Sequence, residues 1–255
     1  MKKKVLISIT IILTFLCARY LKYFYGYVVF GEEEWNALDD SFATNLLVYS
    51  QILLVFIVSS ILFRRKVFEV LGLHKGILKG LAIGFICSLP MFIGYAFLNG
   101  FEFKLDLSLI HRDFIQAGFF EELLFRGFLF GILFYVVGWG FIPAILLPSI
   151  FFGLGHLYQA ENVSEAISVF LFTGLGSAGF TWFYTAFKNL WVVIFLHAFM
   201  DLAWDMFQIE TTVSGNLTVN IFRFATLGLM IFLAIRNTIR HPEHKMNGKF
   251  WVNKS

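Results

Sequence analysis

Long apolar runs separated by short charged clusters divide the 255-residue chain into eight segments. They cover residues 5–24, 45–63, 80–98, 114–137, 141–157, 166–187, 190–207 and 219–235. A helix rises about 1.5 Å per residue, so a run of roughly 20 apolar residues crosses a hydrocarbon core about 30 Å thick. The pattern predicts an all-α fold, a polytopic bundle of about eight transmembrane helices forming one transmembrane domain over 1–255. In 64–79, basic and apolar positions interleave, which predicts a short amphipathic helix at the interface. Met1-Lys2-Lys3-Lys4 followed by an apolar run imitates the opening of a signal peptide. The run outlasts an h-region, however, no A-x-A-like site follows, and Leu16 before Cys17 does not fit a lipoprotein cleavage site. The first segment is therefore expected to be an uncleaved transmembrane helix.

Composition narrows the class further. Hydrophobic residues make up 58% and charged residues 15%, against about 25% charged in soluble domains. Disorder, a fibre and an ordinary cytosolic enzyme are excluded. The net charge of +3 sits in loops rather than in a basic surface with interleaved aromatics, so no nucleic-acid partner is expected. Lys2–Lys4, Arg64-Arg65-Lys66, Lys75, Lys79, Lys188 and the tail from Arg236 to Lys254 alternate with acidic Glu32–Glu34, Asp39-Asp40, Glu161, Glu165 and Glu210. This positive-inside asymmetry predicts a cell-membrane protein with both termini cytoplasmic. Cys17 and Cys87 lack CxxC spacing and read as lipid-facing or packed thiols. The small residues Gly174, Gly176, Ser177, Ala178 and Gly179 predict a tight helix-packing face.

Ionisable groups inside apolar runs cost roughly 2.5–3.5 kcal/mol each at mid-bilayer, so their presence calls for a reason. The fourth run contains Glu121, Glu122 and Arg126. Glu122 and Arg126 are four apart and share a helical face, whereas Glu121 is rotated about 100° away and is free to face something else. The fifth run ends in Phe152-Gly153-Leu154-Gly155-His156, and the seventh places His197 and Asp201 one turn apart, with Asp205 continuing that face. At about 1.5 Å per residue, Glu121, His197 and Asp201 share a layer near the midplane, and His156 reaches it if its helix tilts. This set suits hydrolysis. Glu121 would act as a general base on a water held by His156. Alternatively, Glu121, His156 and His197 would bind a divalent metal, with zinc the best match. No H-E-x-x-H and no G-x-S-x-G elbow is present.

Together, Glu121-Glu122…Arg126, Phe152…His156 and His197…Asp201 resemble the E-E-x-x-x-R, F-x-x-x-H and H-x-x-x-N/D motifs of the CPBP family of intramembrane proteases (CAAX-protease and bacteriocin-processing, or Abi). The small-residue helix and Asn189-Leu190-Trp191 before His197 are also similar, and the resemblance covers about 115–205. It implies an intramembrane endopeptidase of metalloprotease type whose substrate is a membrane-associated peptide or protein. Glu121 would activate water and His156 would hold that water or a metal. His197 and Asp201 would stabilise the oxyanion or complete a metal shell, with Glu122 and Arg126 in support. The prenyl-protease branch carries Asn where this chain has Asp201, and an ionised Asp cannot donate to an oxyanion. The Lys-, Phe- and Ile-rich composition hints at an AT-rich bacterium, which favours peptide maturation or bacteriocin self-immunity over prenyl-CAAX processing. The alternatives are a non-catalytic immunity or scaffold protein on the same fold, and a proton-coupled transporter, against which no internal repeat stands.

Overall fold

The computed structural model describes residues 2–209, 215–245 and 249–251. Glu210 and Lys254, both used in the charge pattern, lie outside the described residues. Eight long helices run through the described residues, and no strand is formed among them. α1 spans Lys2–Phe24 and continues through wide π turns at Tyr25–Val29, followed by the short α2, Glu32–Ala37. α3 is Asp40–Phe63, α4 is Val67–Val70 and α5 is Ile77–Leu98. α6 covers 107–137: one α turn, Leu107–Ile110, leads into wide π turns at His111–Glu121 and Leu123–Val137, with Glu122 between them. α7 is Phe141–Gly155, α8 Val163–Phe187, α9 Leu190–Met206 and α10 Leu217–Arg240. Six of the eight long helices are long and apolar enough to cross a membrane. The other two are α6, which carries site charges, and α9, which has 17 residues. The chain is a multi-pass membrane protein.

Helix starts follow local chemistry. The side chains of Asp39, Asp106, Asn162, Asn189 and Asn216 each accept a hydrogen bond from an N–H of the first turn of α3, α6, α8, α9 and α10. Such caps satisfy donors that a helix end otherwise leaves open. α6 stops at Gly138, whose φ of 93° ends the helix. Its second half is apolar on every side, and Leu123, Phe128, Leu129, Phe130, Ile132 and Leu133 are fully buried. That all-round burial makes α6 the central helix. α1 packs on it, with the Phe15 ring edge-on to Phe125 at 5.4 Å and to Phe151 at 5.3 Å. Outward-facing side chains such as Leu6, Ile61, Leu78, Leu175 and Ile221 are large, apolar and exposed, as a lipid-facing surface requires. Cys17 is exposed and Cys87 buried, both as free thiols.

Two expectations are corrected. Residues 64–79 do not form one amphipathic helix: a 3-10 turn at Arg64–Lys66 leads into the four residues of α4, and α5 begins at Ile77. Gly72 and Gly76 take φ of 77° and 86°, turning the chain against the α8–α9 junction. There Asn189 Nδ2 donates to Gly76 O at 2.9 Å and Trp191 Nε1 to Leu73 O at 3.2 Å. The small residues of α8 are only partly a packing face. Gly174 approaches Ser149 O and Ser177 is buried, but a Cβ on Gly176 or Gly179 would meet nothing within 4 Å.

The close approach that matters for the site lies elsewhere, at Gly118 of α6. A Cβ there would come within 2.6 Å of the Ala198 Cβ and 3.0 Å of Ile194 O, so α6 and α9 touch backbone to backbone beside His197. Gly118→Ala is expected to cost about 1–3 kcal/mol of stability through overpacking. Gly176→Ala, facing open space, should leave stability unchanged or slightly raised. Thermal unfolding in detergent reads both.

Candidate active site

α6, α7 and α9 bring the six expected residues to one region. Glu122 is fully buried, and its Oε1 accepts from Arg126 Nη1 at 2.9 Å, the pair expected from the four-residue spacing. The same oxygen also accepts from His197 Nδ1 at 2.8 Å, a contact across helices that spacing could not reveal. Arg126 is 1% exposed. Its Nη2 donates to Ser177 O at 3.4 Å, and its guanidinium lies over the Phe152 ring at 4.7 Å and the Phe180 ring at 5.7 Å. These aromatic faces compensate part of the desolvation of the cation.

The orientation of His197 follows from its partners. A carboxylate oxygen only accepts, so Nδ1 carries hydrogen toward Glu122, and Nε2 turns to Asp201 Oδ2 at 3.3 Å. The ring packs edge-on to Phe180 at 5.6 Å. The Asp201 side chain is 39% exposed against 14% for His197, so the site opens to the exterior past Asp201. His156 sits just beyond the last turn of α7, and its Nδ1 donates to Phe152 O at 2.7 Å. In a neutral ring this leaves the Nε2 lone pair as an acceptor. The Phe152 ring stacks against His156 at 4.5 Å and reaches toward His197 at 6.4 Å, which makes it the spacer between the two imidazoles.

Glu121 is half-buried. It lies within electrostatic reach of His156, His197 and Asp201, and its carboxylate makes no hydrogen bond with another described residue. The two adjacent glutamates are therefore divided as their spacing implies. Glu122 is bonded to Arg126 and His197, and Glu121 to neither.

Among the described residues, Glu121, His156 and His197 do not bring three ligand atoms within 4.8 Å of one another, the spacing a shared ion needs.

Some neighbours of the site were missed from sequence. Arg112 Nε pairs with Asp113 Oδ1 at 3.0 Å, and its Nη2 pairs with Asp205, tying the start of α6 to the end of α9. Asp205 thus has an ion-pair partner rather than meeting solvent alone. Arg223 of α10 is buried, with its guanidinium 4.0 Å from the Trp204 ring and within electrostatic reach of Asp201. A charge inside the apolar run 219–235 was the available signal. Phe180 carried none, being one of 34 phenylalanines, whereas Phe152 stood in the F-x-x-x-H match.

Residues 103–203 match the family model described as type II CAAX prenyl endopeptidase Rce1-like. No curated protein and no solved structure gives a significant match to the chain. All six site residues fall within this matched stretch, which makes up about two fifths of the chain and is similar to the Rce1-like CAAX protease family.

Proposed function

We propose that the protein is an intramembrane endopeptidase that hydrolyses a peptide bond of a membrane-associated peptide or protein, using water activated by Glu121. One observation carries this reading. A carboxylate that bonds to no other described residue lies within electrostatic reach of an imidazole with a free Nε2 and of a second imidazole whose orientation is fixed at both nitrogens. The family match supports the reaction class.

In the proposed reaction, His156 Nε2 accepts one hydrogen of the water and Glu121 removes the other. The water oxygen adds to the scissile carbonyl carbon. Glu121 then returns its proton to the departing amine as the C–N bond breaks. His197 stands where the carbonyl oxygen gains charge. With Nδ1–H given to Glu122, its Nε2–H is shared between Asp201 and that oxygen. In its imidazolium form the ring is a charged donor, which makes the stronger bond to an oxyanion. Asp201 thereby has a role that does not require it to donate: it holds His197. Glu122, Arg126, His197 and Asp201 then sum to zero charge, which limits the cost of placing them in lipid.

Asp201→Asn preserves an acceptor for His197 through Oδ1 and is expected to keep kcat/KM within about tenfold, while Asp201→Ala should lose on the order of 10². Chelators should leave the wild-type rate unchanged. The function itself is tested by offering the detergent-purified protein a pool of membrane-anchored peptides with mass-spectrometric readout. Product pairs whose masses sum to substrate plus one water are expected. Well-folded protein that cleaves nothing in a pool spanning lipidated and unlipidated anchors contradicts the reading.

A further inference from the structure

A second cluster of ligating side chains lies far along the chain from the active site, in the short turn Pro242–His244 that follows α10. His241, Glu243 and His244 each direct a donor atom into one space, all within 4.8 Å of one another. Glu243 Oε1 stands between the two imidazoles, 3.2 Å from His241 Nδ1 and 3.7 Å from His244 Nε2. The rings stack at 5.2 Å with 21° between their planes.

The turn is held in place by contacts independent of any ion. His244 Nδ1 donates to Ala186 O at 2.8 Å, and Asn237 Nδ2 donates to the same oxygen at 2.8 Å. Lys188 Nζ donates to the backbone carbonyl of Glu243 at 3.0 Å, and Pro242 fixes one backbone dihedral of the turn. The His244 bond has a chemical consequence. With hydrogen on Nδ1 and a backbone carbonyl as its acceptor, Nε2 presents a lone pair of fixed direction, the usual outer support of a metal-bound histidine.

We propose that His241, Glu243 and His244 form a binding site for a divalent transition-metal ion of the zinc, nickel and copper class. Two imidazoles and one carboxylate suit that class, whereas calcium and magnesium demand oxygen ligands. Three protein ligands leave further positions for water, since His241 and Glu243 face solvent.

The test is calorimetric titration of the full-length, untagged protein in detergent with ZnCl2. Wild type should take up one ion saturably. His241→Gln and Glu243→Gln, both at exposed positions, should each weaken binding at least tenfold. His156→Gln in the active site should leave it unchanged. Absence of zinc uptake by wild type, unchanged affinity in both tail variants, or loss of binding in His156→Gln would each overturn the proposal.

Discussion

Glu121→Gln is expected to lower kcat/KM for peptide cleavage by about 10²–10⁴, the usual worth of a positioned general base. The substitution nearly preserves volume, and the carboxylate it replaces makes no hydrogen bond to another described residue. The fold therefore has no polar partner to lose. Glutamine cannot take a proton from water, while substrate binding needs no charge at that position. The variant should unfold at the wild-type temperature and still retain substrate. Parallel initial-rate and thermal-unfolding measurements check both halves, and a variant that loses activity only because it unfolds contradicts the assignment.

The neighbouring glutamate behaves in the opposite way. Glu122 is fully buried and is the acceptor for both Arg126 and His197. Glu122→Gln leaves the Arg126 guanidinium buried with no carboxylate bonded to it, a change expected to cost about 3–5 kcal/mol. Activity should fall with stability, because His197 loses the charge that fixes its tautomer. The double variant Glu122→Gln/Arg126→Met removes both charges and should recover much of the lost stability. A double-mutant cycle on unfolding midpoints reads the coupling. Additive losses would mean that the pair does not act as a unit. Adjacent residues of the same type are thus expected to fail differently, one in chemistry and one in folding.

Much of the fold was legible because an apolar run of about 20 residues has few physical explanations. All eight expected runs correspond to long helices, and α1 packs into the core as a member of the bundle. The start of α6 was placed at 114, whereas the helix begins at Leu107. Polar residues hid those turns, yet the Asp106 cap and the Arg112–Asp113 pair satisfy them. The Glu122–Arg126 pair was legible from its four-residue spacing. The bond from His197 to Glu122 was not, since it spans 75 residues and depends on the Gly118–Ala198 approach. The small residues of α8 announced a packing face but not its direction, and Gly176 and Gly179 face open space.

The most direct measurement compares wild type and Glu121→Gln on one membrane-anchored peptide, with and without a strong chelator, in reconstituted bilayers. Metal-independent hydrolysis through Glu121 requires cleavage by wild type at the same rate in both conditions and no cleavage by the variant in either. Wild-type activity that disappears with chelator and returns with zinc, or a variant that cleaves at the wild-type rate, would contradict it.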